Sequence, residues 1–142
     1  MKTPKVYIAD TGLLHALLDI PSARALQAQP KVGASFEGFA LQEVVRALRA
    51  RPEQCYFWAT HQGAELDLLV VDGERRRGFE FKRTDAPGVT KSMHVAIQDL
   101  GLESIDVVHA GRDTYPLSPR IRALAISRLT TELSRGRRAG RR

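Results

Sequence analysis

Two hydrophobic periods divide the chain. Leucines at 13, 14, 17 and 18 in "TGLLHALLDI" fall on one helical face. In "GASFEGFALQEVVRALRAR", Phe36, Phe39, Ala40, Val44, Ala47 and Leu48 form an apolar stripe that Leu41 and Val45 widen. This is the strongest predicted helix, with Ser35 as its N-cap, Glu37 in its first turn and Pro52 as its end. "SARALQAQ", between Pro21 and Pro30, predicts a short helix or ordered loop. "TKSMHVAIQDLGL" predicts a helix stopped near Gly101. "KVYIAD", "QCYFWAT", "AELDLLVV", "RRGFEFKR" and "SIDVVHAG" predict strands, with "DGERR" as a hairpin connection between the third and fourth. Pro116 and Pro119 interrupt the stretch after residue 111, and a closing helix is expected beyond Ser118. Asp10 and Gly12 are expected to form a turn that locks the amino-terminal arm.

The resulting order is helix, three strands, helix, strand, preceded by a strand-helix arm. Three strands with short links suggest an antiparallel meander, and the helix after them allows a crossover to a parallel neighbour. The predicted fold class is α/β: a mixed central sheet with flanking helices. The expected domain spans residues 1–127, with an arm at 1–33 and a core at 34–110. Residues 128–142 hold the end of the closing helix and a basic, disordered tail.

Charge placement raises the chemical question. In "AELDLLVV", strict alternation puts Glu65, Asp67, Leu69 and Val71 on one face and Leu66, Leu68 and Val70 on the other. In "GFEFKR", Glu80 and Lys82 lie together, opposite Phe79 and Phe81. A register that sets the phenylalanines beside the leucines brings Asp67 near Glu80 and Lys82. Glu37 can reach them if the first long helix covers that face. Buried carboxylates repel one another and lose hydration, and a divalent cation offsets both costs. Hard carboxylate oxygens suit Mg²⁺ or Mn²⁺. A cation on Asp67 and Glu80 polarises a phosphodiester oxygen and activates water, while Lys82 orients the nucleophile or stabilises the transition state. The alternative is a surface hairpin with a salt bridge from Lys82 to Glu80 or Asp67.

Composition narrows the setting. Apolar residues make up 43 % and charged residues 27 % of 142 positions, as in ordinary globular domains. No apolar run reaches the about 18 residues of a membrane helix, and the first residues lack the zones of a signal peptide. The single cysteine, Cys55, makes no internal disulfide or thiolate cluster. A cytoplasmic protein without membrane attachment is expected. Five of the 22 basic residues lie in the last eight, "RGRRAGRR". Residues 1–134 therefore carry 17 basic and 16 acidic side chains. The tail can touch nucleic-acid phosphates or remain a solvated terminus.

With these residues in place, the chain resembles the PD-(D/E)XK, or restriction-endonuclease-like, superfamily. The resembling positions are Glu37 in the first core helix, Asp67 on the second core strand and Glu80-Phe81-Lys82 on the third. The resemblance implies a restriction-endonuclease-like αβββαβ core. It also implies metal ligands at Asp67 and Glu80, a catalytic Lys82 and a supporting acid at Glu37. More closely, "KVYIADTGLLHALL", "GASFEGFALQEVV", "YFWATHQGAELDLLVV", "FEFKRTDAPGVTKSM" and "YPLSPRIRALAI" resemble a carboxy-terminal domain of unknown function attached to prokaryotic AAA-type ATPases. That resemblance implies a Mg²⁺-dependent nuclease, or an inactive recognition or regulatory module, working with an ATPase in cis or trans and with nucleic acid. No "GxxxxGK[ST]" occurs, so no ATP site is expected in this chain.

Other residues have two readings each. Glu65 is a supporting acid or an edge residue paired to arginine. Lys91 and Gln98 reach the site or face solvent as helix-surface residues. The four histidines lack metal-ligand spacing, and His61 is a loop residue near the cluster. Phe57 and Trp58 are expected in the core, with a base-stacking role as the alternative.

Overall fold

The structure is a computed structural model that describes residues 6–139, with side chains to residue 134. Helices α1 (Thr11–Leu17) and α2 (Ala23–Gln27) form the arm. Asp10 caps α1 by accepting from the Leu13 N–H at 3.0 Å, and Ser22 caps α2 through Ala25 at 3.2 Å. The turn expected at Asp10 is thus a helix cap. The strand expected at "KVYIAD" is absent from residues 6–10, and Lys5 lies outside the described residues.

Helix α3 (Val32–Leu48) begins three residues before the predicted cap. Ser35 is buried inside it, and its Oγ lies 2.7 Å from His15 Nε2. A side-chain partner across the arm, rather than a helix terminus, satisfies this hydroxyl. The helix also ends before Pro52. Arg49 takes a left-handed backbone at φ 51°, and Pro52 opens a short 3-10 turn instead.

Six strands follow: β1 (Cys55–Ala59), β2 (Glu65–Asp72), β3 (Arg75–Lys82), β4 (Ser104–His109), β5 (Tyr115–Ser118) and β6 (Ile121–Ala125). The sheet order is β1-β2-β3-β4-β6-β5. β1, β2 and β3 form the antiparallel meander. Gly73, at φ +61°, is the first of two residues in the β2–β3 turn, a position where glycine carries no steric penalty. Helix α4 (Lys91–Leu100), capped by Thr90 and stopped by left-handed Gly101, makes the crossover that sets β4 parallel to β3. The mixed α/β sheet with flanking helices, and the order from α3 through β4, are those the hydrophobic pattern predicts.

The segment after β4 differs from expectation. Residues 115–125 form a hairpin, β5–β6, with β6 parallel to β4. The closing helix α5 (Leu129–Ala139) starts after a 3-10 turn at Ile126–Arg128. Leu and Ala at 123–125 favour a helix locally. The buried slot beside β4 overrides that preference. Pro116 sits on the outermost strand, where a missing N–H is tolerated. Residues 140–142, and with them the end of the expected disordered tail, lie outside the described residues.

The core has two halves. Leu68, Val70, Phe79, Phe81, Val108 and Leu124 pack with α3 and α5 on one side of the sheet. Leu66, Leu69, Ile105, Val107 and Ile121 pack with Met93, Ala96 and Ile97 of α4 on the other. Phe79 and Phe81 are fully buried, each contributing about 2–3 kcal/mol by removal from water. Phe57 is not in the core: β1 is an edge strand, and Phe57 is half exposed while Trp58 packs against the α4 side. Among the described residues, no helix is long and apolar enough to cross a membrane.

Candidate metal and phosphodiester site

The sheet's register leads to the site. Leu68 pairs with Phe79 across β2 and β3, as the proposed leucine–phenylalanine alignment requires. One step further stand Asp67 and Glu80. There the Asp67 carboxylate takes over from the backbone ladder, accepting the Phe81 N–H at 3.1 Å. Its oxygen therefore lies against the main chain directly after Glu80. Both acids are nearly withdrawn from solvent, Asp67 at 8 % and Glu80 at 5 % exposure. Lys82 Nζ stands 3.4 Å from Glu80 Oε2, and its side chain is 45 % exposed. Two buried acids thus stand with a lysine at the rim, paired to Glu80 as the salt-bridge alternative also expects.

Strict alternation along β2 fails at this point. Tyr56 pairs with Leu69, but Trp58 pairs with Leu66. Two β2 residues, Asp67 and Leu68, thus oppose one β1 residue, Phe57: a β-bulge. Leu66 consequently packs with Leu69 on the α4 side, apart from Leu68 and Val70. The expected grouping of Leu66, Leu68 and Val70 on one face is corrected accordingly. A bulge re-aims side chains, and this one falls at the candidate ligand Asp67.

Glu37 has another role in this structure. Its Oε2 accepts from Tyr7 Oη at 3.2 Å, tying the arm to α3. Among the described residues, no group of three or more His, Cys, Asp or Glu side chains gathers to hold a metal. Glu37 does not complete a three-acid set with Asp67 and Glu80 there. The two remaining carboxylates still fit Mg²⁺ by chemistry, because that ion keeps several waters and takes one or two protein carboxylates.

The loops at the carboxy-terminal end of β3 and β4 are locked together. Lys82 pairs with His109 in the parallel register. Fully buried His109 accepts the Gly111 N–H at Nδ1, 3.1 Å, so its Nε2–H donates to Asp113 O at 2.9 Å. Ala110 N–H donates to Thr84 O at 3.1 Å. A Cβ at Gly111 would meet Asp85 O at 2.4 Å, so only glycine permits this approach. His109 carried no metal-spacing signal, and its role follows from burial.

Sequence reasoning also passed over Asp106. It is 3 % exposed in its side chain and bonds Arg77 at 3.1 Å and Arg122 at 2.6 Å. Arg122 continues to Glu132 of α5 at 3.1 Å. Burial alone would lower the Arg122 pKa, but the bonds to Asp106 and Glu132 outweigh it and hold the group above its usual range. An apolar-flanked Asp in "SIDVVHAG" was the available signal.

The profile described as "Domain of unknown function (DUF4143)" matches residues 32–129, over half of the chain. The chain belongs to the DUF4143 family. "Uncharacterized protein Rv2008c" of Mycobacterium tuberculosis and "Uncharacterized protein Mb2031c" of Mycobacterium bovis are each 44 % identical over 130 residues. The alignment covers 92 % of this chain and 29 % of either relative. No solved structure matches. The DUF4143 match contains α3, the entire sheet and the three candidate residues Asp67, Glu80 and Lys82.

Proposed function

We propose that this domain is a metal-dependent nuclease that hydrolyses phosphodiester bonds in DNA or RNA, with a restriction-endonuclease-like core. The carrying observation is the convergence of buried Asp67 and Glu80 at the bulged end of β2–β3, with Lys82 beside Glu80. Asp67 and Glu80 are the residues that would hold Mg²⁺ or Mn²⁺. When bound, the ion supplies Lewis acidity and a water acidified toward neutral pH. The Phe81 N–H orients the Asp67 carboxylate. Lys82, reaching solvent, stands where a phosphate approaches and can hold a water for in-line attack. Glu37, which accepts from Tyr7, fixes the arm beside α3 and is not assigned a ligand role.

The sequence resemblance supports placement as the carboxy-terminal part of a cytoplasmic AAA-type ATPase, and the chain spans only 29 % of the length of either relative. The test is a cleavage assay on single- and double-stranded DNA and RNA with highly purified protein. Strand scission in Mg²⁺ or Mn²⁺, abolished by EDTA and by Asp67→Asn, is expected; intact substrate under every metal condition would exclude the nuclease.

A second reading is a nuclease-like recognition or regulatory module of an ATPase without turnover. The direct Lys82–Glu80 pairing and the two-acid rather than three-acid set favour it. It predicts nucleic-acid or partner binding unaffected by chelator, together with no scission by wild type.

A further inference from the structure

The cleft between the arm and α3 has the chemistry of a nucleobase site. It encloses about 420 Å³, within the range of about 300–1,000 Å³ typical of small-ligand sites. Its lining includes Phe36 and Phe39 of α3, Thr11 and His15 of α1, Gln27 and Arg83. Phe36 packs into the core. Phe39, one helical turn on, is 44 % exposed. An exposed ring at the edge of a cavity is a stacking surface for a flat π-system.

The polar groups are unevenly placed in kind. His15 uses Nε2 on Ser35, which leaves Nδ1 as a second hydrogen-bonding atom. Gln27 and Thr11 supply an amide and a hydroxyl. Arg83 is exposed and directly follows Lys82 in the chain, and no carboxylate among the described residues pairs with it. The cavity therefore offers an apolar floor, a few groups able to pair with a heteroaromatic edge, and one exposed cation in its lining. An apolar peptide would leave the arginine without a complement, whereas a nucleotide has both a ring and an anion.

We infer that this cleft accepts one unstacked base of a single-stranded or locally unpaired DNA or RNA, with Arg83 on the adjoining phosphate. This deepens the nuclease reading by naming its substrate class, and it rests on that reading for the choice of a nucleic acid as occupant. A base inside a duplex cannot enter such a cavity without leaving the stack. The arm then acts as a selector of strand state.

Binding separates this inference from turnover. The full chain is titrated in EDTA against fluorescently labelled single-stranded DNA, single-stranded RNA and blunt duplex DNA of one sequence, read by anisotropy. Tighter binding of a single strand than of the duplex is expected. Phe39→Ala should weaken single-strand binding by roughly five- to a hundred-fold, the loss of one stacked base. Arg83→Gln should flatten the salt dependence by about one phosphate contact. Asp67→Asn should keep this binding even where scission is lost, which distinguishes failure of the catalytic reading from failure of the cleft. Duplex binding as tight as single-strand binding, no binding to any oligonucleotide, or an unchanged affinity in folded Phe39→Ala overturns the inference. So does a chain dimer dissolved by Phe39→Ala, because the cleft would then house protein.

Discussion

Two groups of buried acids share this sheet, and they are built differently. Asp106 is held by two guanidiniums, Arg77 and Arg122, and Arg122 passes the contact on to Glu132 of the closing helix. Arg77 is itself largely buried. Asp67 and Glu80 instead sit on adjacent strands, one bonded to a main-chain N–H and the other to a half-exposed lysine. Arginine's planar fork gives a fixed, multiply bonded anchor, whereas lysine's ammonium is a movable point charge at solvent. The first arrangement ties α5 to β4 and β6. The second leaves its cation where a phosphate can meet it. Burial of a carboxylate alone therefore does not mark a reactive site; the kind and exposure of its cation distinguish the two.

The sharpest way to break this contrast is to remove the anchor. Asp106→Ala strands two arginines and should destabilise the fold by about 3 kcal/mol, after allowance for the third of Arg122 that meets solvent. Urea unfolding measures it. Scission per folded molecule should stay constant; a selective loss of scission would erase the division between anchor and site. Next in size, Asp67→Asn retains an acceptor for Phe81 and should lower metal-dependent scission by more than about a hundredfold, with little change in Tm. Equal scission by wild type and variant would move the ligand elsewhere. Lys82→Met should abolish scission while lowering stability less than Asp106→Ala does, because one half-exposed ammonium rather than two guanidiniums faces the buried acid. A larger stability loss would make Lys82 an anchor like Arg122.

The smallest effect belongs to Cys55, on the edge strand away from both acid groups. Burial pushes its thiol up from 9.0, and Glu53 adds to the rise. A thiol with a raised folded pKa ionises first in the unfolded chain, so its contribution shifts toward unfolding as pH passes 9.0. Alkylation at pH 7 should be slower than for an unstructured cysteine peptide, and Glu53→Gln should accelerate it slightly. A rate equal to that of the peptide would contradict the burial effect.

Much of the fold and part of the site are legible from local pattern. The apolar run of β2 and the alternating Phe79 and Phe81 of β3 define those strands, and Gly73 marks their turn. The spacing of Met93, Ala96 and Ile97 defines α4, which Gly101 ends. Glu80 and Lys82, two apart in a strand, fall together whatever surrounds them. Glu37 illustrates the opposite case. Its helix is plain in the sequence, yet its carboxylate meets Tyr7, a partner thirty positions away that no periodicity announces.

By itself, then, the sequence determined the order from α3 through β4, the antiparallel meander, the crossover and the pairing of an acid with a lysine two residues on. These depend on dihedral preference and side-chain period, which neighbours in the chain set among themselves. Only the tertiary structure decided the bulge that re-aims β2 at Asp67, the β5–β6 hairpin where Leu and Ala favour a helix, and the guanidinium grip on Asp106. Each depends on groups far apart in the chain, whose packing and charge compensation outweigh local preference once they meet.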